Sequence, residues 1–321
     1  MDLRFAPGIK LMSHRQFVDY FDNLTIYPIG VEISPSGRCN SNCPDCLYRQ
    51  KNNKLAGLDS KLFDDDRMFK LMEEFVVLGV SSITWTGGGD PSMHPSFPLF
   101  VKYANGLGIK QGLFTNGLLP IRYDPSLLEW IRVTYTDQPI NEAVLMSMRS
   151  CKTLGLCINY APRHNEELVY ELLAIAERLD AAKTSPSHST YLQVRPVLQI
   201  EGESVVNSSP KITHPLLNIT DYKFRGLGDG RNYQVCEAFH FVPFVWQDGT
   251  VDICAYHRKE PAYRLGNLHD EGKKGTFKYI MDNAPAKIAV APNCQTVCKL
   301  HEMNSIIQLR KDLSDKDISF P

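Results

Sequence analysis

The sequence predicts an α/β fold, a partial (β/α)6 TIM-like barrel with a small C-terminal unit of β-hairpin plus helix. Three observations predict it. Between residues 31 and about 197, short β-rich runs alternate with amphipathic helical stretches, the pattern of successive βα units around a parallel sheet. Six such runs occur, which suggests an open barrel. Past residue 200 the alternation stops, and Cys236 and Cys254 flank an aromatic-rich stretch with an Asp-Gly turn signal, with Cys294 and Cys298 farther on.

Residues 1–30 read as an N-terminal extension and residues 31–200 as the barrel. Strands are expected at 31–33, 81–86, 110–114, 132–135, 156–160 and 192–197. The first long helix carries its own signals. Asp64, Asp65 and Asp66 precede RMFKLMEEFVVLG, which puts acidic groups at the positive end of the helix dipole, and Gly79 supplies a stop. Residues 201–235 are polar and lack a sustained period, so they read as a bridge. The cysteine-rich unit covers 236–300, and a helix and tail, 301–321, complete the chain.

At 321 residues the chain is long enough to bury a core without disulfides. Its 35 Lys and Arg against 36 Asp and Glu argue against a partner bound by bulk positive charge, such as nucleic acid or an anionic membrane. The first residues alternate charged and apolar side chains and lack the apolar run of a signal peptide. No stretch approaches the roughly 20 apolar residues a membrane helix requires. A cytoplasmic location is therefore expected, where thiols stay reduced. Nine cysteines in such a setting point to metal ligands, catalysts or core fillers.

Cys39, Cys43 and Cys46 stand in a C-x-x-x-C-x-x-C spacing on the loop after the first expected strand. Three thiolates so placed can hold three irons of a 4Fe-4S cube and leave the fourth iron open to a small molecule. A zinc knuckle that borrows a distant fourth ligand is the alternative. On this motif and its place in the βα pattern, the chain resembles the radical S-adenosylmethionine (radical SAM) enzymes over residues 31–197. The resemblance implies that the open iron binds the amino and carboxylate groups of SAM. It further implies reductive cleavage of SAM to a 5′-deoxyadenosyl radical that takes a hydrogen atom from substrate, with the electron coming from a flavodoxin- or ferredoxin-type donor. The chain has Asp45 where the family often has an aromatic residue.

WTGGGDPSMHP, at the end of the second strand, resembles the family's glycine-rich motif, whose backbone approaches the SAM amino group. Gly87, Gly88 and Gly89 suit that role because no Cβ keeps a ligand away. Asp90 stands where many members have Glu. FTNG, residues 114–117, ends the third strand as in many relatives, so Thr115 and Asn116 are expected near the SAM ribose or carboxylate, with Thr134 at the end of the fourth strand. Asn159 and Arg195 are polar residues in apolar runs and are expected to point inward to the ligand. Carboxyl-terminal strand ends are where barrel enzymes gather such groups.

The second cysteine set is Cys236, Cys254, Cys294 and Cys298, in the order C-x12-G-x4-C, gap, C-x3-C. A hairpin turning at Asp248-Gly249 would bring the first two together, and the last two are expected at the start of a helix. Four thiolates can close around a cluster with no iron left open, or around zinc. The arrangement resembles the Twitch extension, the shortened SPASM form. That resemblance implies a second, auxiliary 4Fe-4S cluster on these four residues, suited to electron transfer.

Cys151 reads as a core residue. Cys157 shares a strand face with Asn159, so it fills the barrel or gives a hydrogen atom to a substrate radical. His94, His240 and His257 lie nearest the expected sites. The expected function is a radical SAM oxidoreductase or epimerase acting on a small hydroxylated substrate of sugar or aminocyclitol type. Only 38 residues precede Cys39, which weighs against a leader-peptide-binding domain. Modification of a ribosomally made peptide and a non-catalytic metal-binding scaffold are the alternatives.

Overall fold

The computed structural model describes residues 6–44, 46, 48, 59–197, 209–220, 231–258, 260–291, 294, 298 and 300–313. Asp45 and most of the bridge lie outside these. Six strands run parallel in sequence order: β1 (Gly30–Ile33), β2 (Ser82–Trp85), β3 (Lys110–Thr115), β4 (Trp130–Thr134), β5 (Thr153–Tyr160) and β6 (Ser189–Pro196). They form the partial TIM-like barrel that the sequence predicts.

The crossovers are α3 (Asp65–Leu78), α4 (Phe97–Gly106), α5 (Glu142–Ser147) and α6 (Glu166–Ala181), after two N-terminal helices, α1 (Pro7–Met12) and α2 (Arg15–Phe21). Asp64 caps α3 by accepting from the Arg67 backbone N–H at 2.8 Å, so the acidic run acts as a helix start. The connection from β3 to β4 holds only a 3-10 turn, Pro125–Leu127. Pro120 and Pro125 lie within it, and proline both removes a donor and breaks a helix interior.

Side-chain direction alternates along every strand, and this decides where the core lies. Val31, Ile83, Leu113, Ile131, Leu156 and Val194 face the helices and belong to the main hydrophobic core. The other face carries Glu32, Arg132, Thr134, Asn159, Gln193 and Arg195, and these line a cavity of about 470 Å³. The apolar core is therefore the sheet-to-helix layer, and the concave face of the sheet is left polar.

Three elements extend this sheet that the βα reading did not contain. β7 (Leu217–Ile219), inside the expected bridge, pairs parallel with β6, with Gln193 opposite Asn218. A strand of three residues is too short to show a period. After β8 (Val235–Cys236), the hairpin β9 (Phe244–Val245) and β10 (Thr250–Asp252) turns at Asp248-Gly249, where Gly249 has φ +77. β9 pairs parallel with β1, with Glu32 opposite Phe244. β11 (Arg264–Asn267) follows on β10, and the sheet order is β11-β10-β9-β1-β2-β3-β4-β5-β6-β7. The C-terminal hairpin is thus an edge of the barrel's own sheet.

Outside this sheet, β12 (Ile288–Ala289) pairs with β8. From α3, Arg67 donates to the carbonyls of Leu268 at 3.1 Å and Gly275 at 2.7 Å. A second core joins α1 and α2 to the C-terminal helix His301–Asp312 through Leu11, Phe17, Phe239, Phe241, Met303 and Ile307.

Gly155 makes room for the Tyr191 ring on the next strand. A Cβ there would lie 2.2 Å from Tyr191 Cζ, and the Tyr191 hydroxyl accepts from Arg132 Nε at 2.8 Å. Gly155→Val should cost about 1–3 kcal/mol through this overlap. Chemical denaturation at fixed pH measures it, and an unchanged midpoint would show that Tyr191 swings away freely.

Candidate functional site

The loop after β1 and the loop after β2 meet backbone to backbone at the cavity mouth. Gly89 N–H donates to Ser36 O at 3.0 Å, Asp90 N–H to Arg38 O at 2.9 Å, and Gly88 N–H to Ser34 Oγ at 3.2 Å. A Cβ on Gly89 would stand 2.0 Å from Arg38 O, and one on Gly87 would stand 2.1 Å from Ser34 Oγ. These two glycines are needed for chain packing. Gly88 differs, because its Cβ would meet only Trp246 and Arg258, each at 3.6 Å. The space beside Gly88 is thus bounded by protein.

Cys39, Cys43 and Cys46 all line the cavity, as do Gly87, Gly88 and Gly89. Donors surround the sulfurs: Ser41 N–H lies 3.5 Å from Cys39 Sγ, Asn116 Nδ2 lies 3.6 Å from it, and Ser41 Oγ is 3.1 Å from Cys43 Sγ. Hydrogen bonds of this kind favour thiolates and tune a bound cluster.

Asp90 is buried, and its carboxylate is filled from within the protein. Oδ1 accepts from the Ser92 N–H at 2.9 Å and from the Ser92 hydroxyl, while Oδ2 accepts from Thr115 Oγ1 at 2.9 Å and Asn116 N–H at 2.7 Å. Asp90, Thr115 and Asn116 were expected as cofactor contacts. All three line the cavity, where they also clamp β2 to β3, and Asn116 reaches Asn40 Oδ1 at 2.8 Å. Thr134 faces the cavity. Asn159 and Arg195 also face inward, joined by an Arg195 Nε donation to Asn159 Oδ1 at 2.7 Å.

Cys157 points to the same face as Asn159, but it is fully buried and does not line the large cavity. Its thiol lies 3.9 Å from Gln193 Oε1, a placement that supports barrel filling over hydrogen donation. Cys151 is buried in the main core, and burial pushes its thiol up to about 12.

The second cysteine set is gathered by tertiary contacts more than by the hairpin. Cys236 sits on β8, opposite Ile288 of β12, and Cys254 follows β10. The expected helix begins at His301, beyond Cys298. Burial pushes the Cys236 thiol up to about 12, with the charges of Cys298 and Cys294 adding to the shift. Burial also raises the Cys254 thiol well above its ordinary value, where Cys298 and Cys236 add. These four thiols are near enough to feel one another, and loading a cluster would require their deprotonation.

Sulfur donors occur here too. Asn304 Nδ2 donates to Cys236 Sγ and Leu300 N–H to Cys298 Sγ, both at 3.3 Å, and His257 Nε2 is 3.1 Å from Cys294 Sγ. His240 lies away from the thiols and contacts Ala286 O at 2.9 Å. Cys298 lines the same cavity as the first triplet. Among the described residues, no three ligating side chains converge on a single-ion position.

Several cavity features have no simple sequence signal. Gln247 Oε1 accepts from Ser34 Oγ at 2.9 Å, which ties the hairpin turn to the glycine loop. Arg258 is buried over the Trp246 ring, 4.4 Å from its centroid, and pairs with Asp59 and Asp248 at 3.0 and 3.3 Å. Its Nη1 is buried without a hydrogen-bond partner among the described residues. Asp137, with φ +59, is clasped by Arg163 at 2.6 Å and His164 at 2.8 Å, and all three line the cavity. Only the inward position of Glu32 and Ser34 was open to strand-parity reasoning.

The fold is shared with solved structures of proteins that bind S-adenosylmethionine. The Streptococcus suis protein SuiB bound to S-adenosylmethionine superposes with a TM-score of 0.54 at 14% identity, over 77% of this chain and 65% of SuiB. SuiB bound to its precursor peptide SuiA gives 0.53 at 12% identity, over 78% and 65%. BtrN in complex with AdoMet and 2-DOIA gives 0.45 at 16% identity, over 81% and 83%, a score too low to carry an argument. The chain spans just under two thirds of the length of SuiB. No protein-family model matches the sequence. No curated protein matches it. Among the described residues, no helix is long and apolar enough to cross a membrane.

Two predictions follow from the packing around the glycine loop. Gly89→Ala should destabilise by about 2 kcal/mol or more and lower iron retention, because a backbone oxygen cannot move aside, whereas Gly88→Ala should do neither. Thermal melts with iron assay compare them, and equal behaviour would refute the packing argument.

His94, after this loop, is buried with Nε2 on Phe63 O at 2.9 Å and Nδ1 accepting from the Ser96 N–H. Burial lowers its pKa, and the Phe63 carbonyl and Asp65 offset this only in part. The stability His94 contributes is thus complete above about pH 6.5 and is lost as pH falls toward the folded value, with a slope of at most about 1.4 kcal/mol per pH unit. His94→Gln should flatten the stability profile below pH 6.5, as denaturation across pH would show.

Proposed function

We propose that this chain is a radical SAM enzyme that takes a hydrogen atom from a small hydroxylated substrate, leading to dehydrogenation or epimerisation. The observation that carries this reading is the cavity shared by the Cys39, Cys43 and Cys46 loop, the Gly87–89 segment and Cys298. A non-catalytic metal scaffold has no need of a cavity of about 470 Å³, a size typical of small-molecule sites.

The residues fit the two cofactors that the motifs imply. The triplet carries sulfur donors and opens on the cavity, and the glycine loop presents backbone there. Cys39, Cys43 and Cys46 would hold a 4Fe-4S cluster, and Cys236, Cys254, Cys294 and Cys298 a second one. When bound, the first cluster and SAM together supply a 5′-deoxyadenosyl radical, and the second supplies a path for electrons.

The protein's own residues do the rest. The Gly87–89 backbone and Thr134 orient the cofactor. Asp90 holds the ends of β2 and β3 in register. Asp137, Arg163 and His164 form a polar wall for substrate. His164 Nδ1 accepts from the Ala161 N–H at 3.0 Å, so its Nε2 carries the proton donated to Asp137. This makes His164 a positioning residue. The thiols need a reducing compartment, which suits the cytoplasm, and a flavodoxin- or ferredoxin-type protein would supply electrons.

Replacing Cys39, Cys43 and Cys46 together by Ala should halve the iron and abolish SAM cleavage, as measured by 5′-deoxyadenosine formation. Unchanged cleavage would sink the assignment. With a chemical reductant, Cys294→Ala plus Cys298→Ala should still form 5′-deoxyadenosine in single turnovers but yield little oxidised product. One-for-one product formation in that variant would favour a redox-neutral epimerisation.

A further inference from the structure

Three arginines line the cavity. Arg163 pairs with Asp137, and Arg132 donates to the Tyr191 hydroxyl and lies against the Phe114 ring. Arg195 also lines the cavity, but among the described residues no carboxylate lies within ion-pair distance of it. Its Nε is taken by Asn159 Oδ1 at 2.7 Å. That bond braces the side chain, and among the described residues neither Nη group has a hydrogen-bond partner or is sealed away from the cavity. A guanidinium held in this way is suited to clasping a planar or tetrahedral oxyanion.

The cofactor does not provide that anion. If SAM sits as proposed, its one carboxylate is beside the triplet and Gly87–89, at the ends of β1 and β2. Arg195 is on β6, four strands beyond β2, roughly 19 Å along the curved sheet at the usual strand spacing. The adenosine half of SAM carries no negative charge. The wall beside Arg195 offers the amide of Gln193 and the hydroxyls of Thr220 and Thr134, which suits a hydroxylated molecule.

We propose that Arg195, braced by Asn159, binds an oxyanion on the substrate, a phosphate or carboxylate carried by a hydroxylated small molecule. Arg195 was expected on the cofactor, and this reassigns it to substrate. The inference rests on the SAM reading above, and its test keeps the two apart.

Calorimetric titration of reconstituted, SAM-loaded protein with D-glucose, D-glucose 6-phosphate and D-gluconate compares neutral, phosphate and carboxylate forms of one scaffold. At least one charged form should bind tenfold or more tighter than glucose, and which one identifies the anion. Arg195→Gln should remove that preference while SAM affinity stays within twofold, and Arg195→Lys should restore part of it. Equal binding of all three, or binding of none, overturns the inference. So does an Arg195→Gln variant that loses SAM affinity in proportion, which would return Arg195 to the cofactor. SAM cleavage by the wild type in the same preparations separates the readings. Cleavage without an anion preference removes only this inference, whereas no cleavage removes the SAM reading itself.

Discussion

The contact on which the site depends is the backbone-on-backbone meeting of the Ser34–Arg38 segment with the Gly87–Asp90 segment. No side chain fits between them, since a Cβ on Gly89 would overlap the Arg38 carbonyl. Because the loops close in this way, the cysteine triplet is carried to the mouth of the barrel. Asp90 then passes the constraint onward to Thr115 and Asn116, and Asn116 returns to Cys39. The loops after β1, β2 and β3 thus form one hydrogen-bonded circuit. Rigid support of this kind is what a reactive site needs, because small displacements of a bound cofactor are costly.

The C-terminal unit takes part in the same circuit. β9 lies against β1, and Gln247, at the hairpin turn, accepts from the Ser34 hydroxyl that in turn accepts from Gly88. Trp246 and the buried guanidinium of Arg258 stand behind Gly88. The first cysteine set and Cys298 of the second therefore line one cavity.

The polarity of the cavity follows from strand geometry. A parallel sheet covered by helices on one face needs apolar residues only on that face. Val31, Ile83, Leu113 and Val194 supply them. The opposite face is free to carry Arg132, Asn159 and Arg195. Aromatic rings accommodate the deepest of these charges, with Arg132 placed 5.0 Å from the Phe114 ring centroid and hydrogen-bonded to Tyr191. Gly155 makes the room for Tyr191.

The six barrel strands, the capped helix after Asp64, the Asp248-Gly249 turn and the seven grouped cysteines were legible in the linear sequence. Each is a local pattern, since period, capping and turn chemistry act over a few residues. The parity that turns Asn159 and Arg195 inward was legible for the same reason. What Asp90, Thr115 and Asn116 bind was not, because the partners lie on different strands, and only closure of the sheet showed that they satisfy one another. The pairing of β9 with β1 joins residues more than 200 apart in sequence, and no local signal encodes it. Burial of Cys157 and, among the described residues, the lack of a counter-ion at Arg195 are likewise decided by the whole packed fold. Charge compensation and accessibility are sums over all neighbours, and the neighbours exist only once the chain has folded.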